Sequence, residues 1–230
     1  MALESNRAIE FQADELLAGN YDDCPVCGLN ITAGWPLPIE SSYRDLARLM
    51  SDLDPGVFVY PFEQTHITVL TAVSFRRQMN PTPSDVRLVE EAAESLGEFV
   101  QRLGRGLGPF VIDVGSPVLS SRAAFLSISN PSGEIEMIRQ EALKFCLGAG
   151  ELLGGAQAPS IVHSTFLRFR CPPKHPEEFA AKFQEIGDRT RLGFGTISEV
   201  LIALETKPYM REGRVTKRIS LTPPSDHPGG

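Results

Sequence analysis

The chain has few cysteines and lacks a long hydrophobic run. No segment of its 230 residues approaches the roughly 18 uninterrupted apolar positions that a membrane-spanning helix needs. Residues 1–17 contain no apolar stretch of the kind found in a secretory signal peptide. These absences predict neither a membrane protein nor a secreted one, and we expect the protein to act in the cytoplasm or the nucleus.

An excess of positive charge is also absent. The chain has 22 Lys and Arg against 29 Asp and Glu, a net charge of -7. Nonspecific binding to nucleic acid requires clustered basic residues that release counterions, so bulk coating of DNA or RNA is excluded. A small anionic ligand in a local basic pocket stays compatible with this charge. Hydrophobic residues make up 42% of the chain, enough for a packed core in one large domain or two small ones.

The cysteines offer only half of a metal site. Cys24 and Cys27 form a C-x-x-C pair, but a structural zinc normally needs four ligands and no second C-x-x-C exists. Cys171 and His175 could complete a split site, and a redox pair is a further alternative, although the βαβ context of a thioredoxin motif is missing. The interpretation we adopt is two free thiols beside a turn, with no metal and no cofactor.

The spacing of apolar residues predicts helices and strands in alternation. Helices are predicted at 4–18, 42–53 (capped by Ser41 or Ser42), 83–103, 130–147 and 176–191. Strands are predicted at 29–38, 57–73 with an interruption near Pro61, 110–118, 123–128, 161–169, 197–205 and 215–221. Helices interleaved with strands of antiparallel type indicate an α+β sandwich with two related lobes.

The chain is therefore divided into three parts. Residues 1–28 are expected to hold an N-terminal helix and the Cys-x-x-Cys turn. Residues 29–221 are expected to form the two-lobed domain. Residues 222–230, with the sequence TPPSDHPGG, are expected to be a disordered tail.

Two of the four histidines occur in the same short motif. His66 is followed two positions later by Thr68, and His163 by Thr165, each inside an apolar strand. Because side chains alternate along a strand with a period of two, each histidine and its threonine project from the same face. Each motif thus presents one proton carrier and one hydroxyl donor together.

These two H-x-T motifs, 97 residues apart, and the late strand LIALETKPYM resemble the 2H phosphoesterase superfamily over about residues 29–221. The resemblance implies a bilobal, pseudo-two-fold sandwich of antiparallel sheets with outer helices. It also implies that both motifs face one central cleft and act without a metal. Carried over residue by residue, it implies His66, Thr68, His163 and Thr165 as the active site.

The chemistry of these residue types agrees with that implication. A neutral imidazole can accept a proton from an attacking water, and an imidazolium opposite it can protonate a leaving ribose oxygen. The threonine hydroxyls can donate to phosphate oxygens where negative charge develops. We therefore expect a phosphodiesterase for a cyclic or 2',5'-linked nucleotide or an RNA end, with the acid and base roles left open. The alternatives are a nucleotide- or RNA-binding protein using the same cleft without turnover, and a zinc-stabilised interaction module.

Substrate contacts are expected from a basic segment near the C-terminus and from two tyrosines. Residues 207–218 contain five basic side chains against one acidic one, and Arg211 is the candidate for a phosphate contact. Tyr209 and Tyr60 are candidates for stacking on a nucleobase. Arg168 has the opposite strand parity to His163, so it is expected to face away from the site unless the strand bulges. The expected partner is a small nucleotide or an RNA terminus, bound by a monomer.

The cysteine interpretation predicts that the purified protein contains far less than one zinc per chain, because a two-ligand site binds the metal weakly. Elemental mass spectrometry of protein produced in zinc-supplemented medium measures this content directly. One zinc per chain that is lost on replacing Cys24 and Cys27 by Ser would instead establish the interaction module.

Overall fold

The computed structural model describes residues 9–19 and 24–223. They form two antiparallel β-sheets with helices packed on the outside, as the sequence predicts. The helices are α1 (Glu15–Ala18), α2 (Glu40–Ser51), α3 (Pro83–Gly104), α4 (Glu134–Gly148) and α5 (Pro176–Arg189). The strands are β1 (Gly28–Gly34), β2 (Val57–Val59), β3 (His66–Val73), β4 (Phe110–Leu119), β5 (Ala123–Ser129), β6 (His163–Phe169), β7 (Gly193–Ile197), β8 (Glu199–Glu205) and β9 (Gly213–Ser220).

Each sheet carries one of the two motifs and is covered by two helices. The first sheet has the strand order β3-β1-β8-β9 and packs against α3 and α4. The second has the order β2-β6-β5-β4-β7 and packs against α2 and α5. The motif strands β3 and β6 contact each other where the sheets meet. This arrangement is the bilobal, pseudo-two-fold α+β fold that the sequence predicts.

The two lobes are not the two halves of the chain. The segment predicted as one strand from 57 to 73 splits into β2, in the second sheet, and β3, in the first. Pro61 and the 3-10 turn Phe62–Gln64 lie between them. The strand predicted at 197–205 is also divided between the sheets. Its first residue ends β7, a strand of the second sheet that was not predicted, and after Ser198 the chain continues as β8 in the first sheet. The lobes are therefore assembled by crossovers at these two points.

Local signals explain some helix boundaries and miss others. Helix α3 begins with Thr82, whose hydroxyl accepts from the Asp85 backbone N–H at 3.2 Å while the Asp85 carboxylate accepts from the Thr82 N–H at 2.9 Å. Helix α2 does not use the predicted serine cap: it continues from a 3-10 turn, and its N-cap is Ile39. The predicted cap is wrong because the 3-10 turn already directs the chain into the helix.

The predicted N-terminal helix is also largely wrong. Of the described residues in 4–18, only Glu15–Ala18 are helical. The backbone N–H groups of Gln12 and Asp14 instead donate to the carbonyls of Ser121 and Phe169, at 2.8 and 2.7 Å. These bonds to the second sheet replace the bonds of a helix, so tertiary contacts override local propensity. The predicted tail lies mostly outside the described residues.

None of the helices formed by the described residues combines the length and apolar character needed to cross a membrane.

One buried hydroxyl joins the two sheets. Ser164, the middle residue of the second motif, is 1% exposed, and its Oγ donates to the carbonyl of His66 at 2.6 Å. The same oxygen accepts from Trp35 Nε1 at 3.1 Å. Ser164 thus satisfies a buried donor and a buried acceptor from the other sheet.

We predict that Ser164→Ala lowers the free energy of unfolding by about 2 kcal/mol, because the His66 carbonyl and the Trp35 indole lose their buried partner. Urea denaturation followed by far-ultraviolet circular dichroism measures the change. Ser95→Ala is the matched control, since the Ser95 hydroxyl lies on an exposed face of α3 and bonds only within that helix. Equal losses in the two variants would contradict the assigned role.

Candidate active site

The four motif residues lie together in one cleft of about 240 Å³. His66 and Thr68 begin β3, and His163 and Thr165 begin β6. The intervening Ile67 and Ser164 are buried, as expected for side chains that alternate along a strand. The structure therefore brings the two predicted pairs to a common cleft between the sheets.

Both histidines are held in the same way. The Nδ1 atom of His66 lies 3.2 Å from the carbonyl oxygen of Gln64, and Nδ1 of His163 lies 3.2 Å from that of Ile161. A carbonyl can only accept, so in each ring Nδ1 carries the proton and donates it. The other nitrogen, Nε2, is then the one left to exchange protons.

The environment of His66 favours its neutral form. Burial lowers the pKa of His66 below its ordinary value of 6.5, and this effect outweighs the hydrogen bond to the Gln64 carbonyl, which raises it. The positive charges of His163 and Arg168 lower the pKa further. His66 is therefore suited to accept a proton at neutral pH.

Strand β3 bulges immediately after its motif. Thr68 and Leu70 pair with adjacent residues of β1, so Val69 is an extra residue in the ladder. Val69 and Leu70 are consequently both buried, and the alternation of faces is reversed beyond them. Thr71 thereby returns to the face of the motif and lines the cleft.

Strand β6 repeats this irregularity, and its bulge decides the direction of Arg168. Thr165 and Leu167 pair with adjacent residues of β5, so Phe166 is the extra residue. Phe166 and Leu167 are both buried, and Arg168 turns to the cleft on the same side as His163. On an unbroken strand Arg168 would face away from the site; the bulge is the expected exception, and it turns Arg168 toward the cleft.

Arg168 is held by three side chains. Its Nη1 lies 2.9 Å from Asp14 Oδ2, and its Nε donates to the Tyr60 hydroxyl at 3.2 Å. Its guanidinium carbon lies 3.7 Å from the centroid of the Tyr209 ring, a cation–π contact. The guanidinium is thus fixed at the cleft wall.

The aromatic residues predicted to stack on a base are already engaged. Tyr60 lines the cleft but is 3% exposed, so its ring offers no face to a nucleobase. Tyr209 also lines the cleft, with one face covered by Arg168 and its ring in an edge contact with Phe75 at 5.4 Å. Neither placement supports the expected stacking on a nucleobase, because Tyr60 is buried and Tyr209 already packs against Arg168 and Phe75.

The basic C-terminal segment lies beside the cleft. Arg211 lines an adjoining groove of about 690 Å³, and its guanidinium lies 5.3 Å from the Phe58 ring centroid. Gln64, His66 and Met210 border both the groove and the cleft, so the two lie side by side. Ion pairs join other basic residues of 207–218 to glutamates: Lys207–Glu212, Arg214–Glu90 and Arg218–Glu199.

Arg139 is a supporting residue that the sequence analysis missed. It is 3% exposed, and its guanidinium donates to the carbonyls of Val69 at 3.0 Å, Thr68 at 3.3 Å and Ile161 at 3.4 Å. It therefore ties the first motif to the segment that precedes the second. A signal was present in the sequence: Arg139 lies one position after Ile138 and three before Ala142, on the buried stripe of α4.

A buried carboxyl group also lines the cleft. Glu205 accepts from the Met210 backbone N–H at 2.8 Å and from Asn30 Nδ2 at 3.2 Å. Tyr209 and Met210 have positive φ angles of 62° and 56°, which are unfavourable for residues with a side chain. The Glu205 contact helps to hold this turn. Burial raises the pKa of Glu205 to about 7.

The described residues, 9–19 and 24–223, contain no cluster of metal ligands: no three of their His, Cys, Asp or Glu side chains are grouped closely enough to hold a metal ion. The four cysteines are free: Cys24 is half-buried, Cys27 and Cys146 are buried, and Cys171 is exposed.

Comparisons with known proteins identify the fold. No family model and no curated protein matches the chain. Among solved structures, TT0787 of Thermus thermophilus matches with a TM-score of 0.57 and 17% identity, over 85% of this chain and 98% of that one. E. coli LigT matches in its complex with NADP+ (TM-score 0.52, 14% identity, 86% and 99% covered) and in its complex with 3'-AMP (0.50, 16%, 86% and 99%). The chain has the fold of the 2H phosphoesterases, which confirms the resemblance at the level of the fold.

The environment of Glu205 predicts a pH dependence of stability. Its pKa is raised from 4.5 to about 7, so its contribution to stability is complete below about pH 4.5 and is lost as the pH rises through 7. We expect Glu205→Gln to be more stable than the wild type at pH 8, by about 1 to 3 kcal/mol, and similar to it at pH 4.5. Urea denaturation at both pH values measures the difference.

Comparison at the same pH cancels the contributions of other groups, including that of His66, which runs in the opposite direction. Glu199→Gln is the control, since its side chain is 39% exposed and pairs with Arg218 at the surface. A wild type and a Glu205→Gln variant that respond identically to pH would show that the pKa of Glu205 is the same in the folded and the unfolded chain.

Proposed function

We propose that the protein is a phosphodiesterase that hydrolyses a cyclic or 2',5'-linked nucleotide, or an RNA-end phosphodiester, by metal-independent acid–base catalysis. The observation that carries the proposal is the matched pair of H-x-T motifs in one cleft. His66 and His163 have the same Nδ1 hydrogen bond, which leaves Nε2 of each ring available for proton transfer.

In the proposed reaction, water attacks the phosphorus atom while one histidine accepts its proton. A new bond forms between phosphorus and the water oxygen, and the bond between phosphorus and the ribose oxygen breaks. The second histidine donates its proton to that leaving oxygen. A cyclic phosphate is thereby opened to a ribose hydroxyl and a phosphate monoester. An open chain is cut into one piece that ends in a ribose hydroxyl and one that ends in a phosphate monoester. Neither step needs a cofactor.

The environment of His66 supports an assignment of roles. The lowered pKa of His66 suits a base that must be neutral before reaction, so His66 accepts the proton and His163 donates one. Thr68 and Thr165 donate to the nonbridging phosphate oxygens. Arg168, fixed at the same wall, adds a charge-assisted hydrogen bond as negative charge grows.

A small nucleotide or a short RNA terminus is the proposed substrate. The cleft of about 240 Å³ suits a phosphate and part of a nucleoside, and the adjoining groove can take what remains. Gln64 also lines the cleft, and its side-chain oxygen is buried without a hydrogen-bond partner among the described residues. The LigT complexes with NADP+ and 3'-AMP are consistent with nucleotide binding by this fold.

We predict that at least one substrate of a small panel is hydrolysed in EDTA. The panel contains nucleoside 2',3'-cyclic phosphates, 2',5'-oligoadenylate, cyclic dinucleotides and ADP-ribose cyclic phosphate. His66→Ala and His163→Ala should each lower kcat about 10²- to 10⁴-fold, because each removes a proton-transfer group. Chromatographic product analysis gives the rates.

His175→Ala is the matched control, because His175 lies on the exposed N-terminus of α5, away from the cleft lining. It should retain wild-type turnover. If nothing is hydrolysed while one ligand binds equally well to the wild type and both cleft variants, the cleft is a binding site and the catalytic proposal is rejected. Turnover that requires an added metal ion would reject the metal-independent mechanism.

A further inference from the structure

The carboxylate of Asp14, in the N-terminal segment, contacts residues that line the cleft without lining it itself. Asp14 precedes α1 and is 7% exposed. Its backbone N–H donates to the Phe169 carbonyl at 2.7 Å, at the end of the strand that carries the second motif. Its Oδ1 accepts from the Leu16 N–H at 3.0 Å, which caps the short helix. These two hydrogen bonds hold Asp14 in place independently of its contacts with the cleft residues.

Asp14 binds two cleft residues at once. Its Oδ2 pairs with Arg168 Nη1 at 2.9 Å, and its Oδ1 accepts from the Tyr209 hydroxyl at 3.0 Å. The Arg168 and Asp14 side chains are 17% and 6% exposed, so solvent screens this ion pair little. Arg76 also donates to the Tyr209 hydroxyl, at 2.8 Å. One carboxylate therefore fixes both the guanidinium and the ring on which it lies.

The position of Asp14 indicates that it supports Arg168 and does not compete with the substrate phosphate for it. Arg168 and Tyr209 line the cleft, whereas Asp14 is not part of its lining. A carboxylate that occupied the phosphate site would have to lie within the cleft beside the histidines. Asp14 instead contacts the guanidinium from behind the wall, so the cleft side of Arg168 stays open to a ligand.

We propose that Asp14 is a positioning residue that acts through Arg168: it holds the guanidinium over the Tyr209 ring and directed at the phosphate of the substrate. This inference rests on the proposed phosphodiesterase function. An arginine side chain has several rotatable bonds, and a misplacement of about 1 Å can cost on the order of 100-fold in rate. Fixing it before the substrate binds removes that cost from the reaction.

The test is Asp14→Asn, which preserves the size of the side chain and its acceptor for Tyr209 but removes the charge that pairs with Arg168. With the panel substrate that the wild type hydrolyses best, we expect kcat/KM to fall about 10- to 100-fold, mainly through kcat. Asp14→Glu should recover part of the loss. In the double variant with Arg168→Lys the two effects should be far from additive, since both act on one group.

Gln12→Ala is the matched control. Gln12 lies in the same segment and accepts from Arg122 Nε at 2.8 Å, outside the cleft lining. Its loss weakens the docking of the segment without touching Arg168. If Gln12→Ala lowers kcat/KM as much as Asp14→Asn does, or if the Asp14 and Arg168 effects are additive, the positioning role is rejected. Faster turnover or tighter binding of 3'-AMP by Asp14→Asn would show instead that Asp14 competes with the phosphate.

A measurement without substrate separates this inference from the proposed function. In ¹⁵N-labelled wild type and Gln12→Ala, the Arg168 Nε–H should give a distinct resonance protected from exchange, assigned by its loss in Arg168→Lys. In Asp14→Asn this resonance should broaden or disappear. If it stays unchanged in Asp14→Asn, Asp14 does not position Arg168, whatever the protein hydrolyses. If it changes as expected while the panel is not hydrolysed, the positioning stands and the phosphodiesterase proposal fails.

Discussion

The geometry of the cleft depends on the hydrogen bond from the Ser164 hydroxyl to the His66 carbonyl. Ser164 lies between His163 and Thr165, so its inward direction forces both neighbours outward to the cleft. Its acceptor belongs to the first residue of the other motif. The bond therefore joins the two sheets at the point where the proposed catalytic groups begin, and the relative position of the two imidazoles is set by main chain and a short, buried side chain rather than by flexible ones. Trp35 completes the contact by donating to the same oxygen.

Near this hydrogen bond, buried polar groups are paired with polar side chains of the protein. Arg139 donates to carbonyls of both motif segments. Glu205 accepts hydrogen bonds from the Asn30 side chain and from the backbone N–H of Met210, in the turn with positive φ angles. A buried polar group without a partner is costly, and these hydrogen bonds remove that cost for the groups that they join. The same burial lowers the pKa of His66 and raises that of Glu205. Stability and acid–base properties of the cleft thus have a common cause.

Sequence reasoning succeeded where the signal was local and periodic. It predicted the α+β class, both motif strands, the interruption near Pro61 and the shared face of each histidine and threonine. It left the direction of Arg168 dependent on a bulge, because a bulge cannot be derived from a strict period of two, even though V-L and F-L follow the two threonines in the same way. It failed for the N-terminal segment: hydrogen bonds from Gln12 and Asp14 to distant strands outweigh its helical propensity.

The sequence by itself determined which residues are proposed to carry chemistry and that each motif histidine shares a face with its threonine, since these follow from side-chain type and strand periodicity. Only the tertiary structure decided that the chain changes sheet at Pro61 and Ser198, so that the two motif strands become neighbours. It also decided which groups surround the histidines, bringing Asp14 to Arg168 across 154 positions and Asn30 to Glu205 across 175. Such contacts arise from packing and from the need to satisfy buried polar groups, and no local pattern along the chain encodes them.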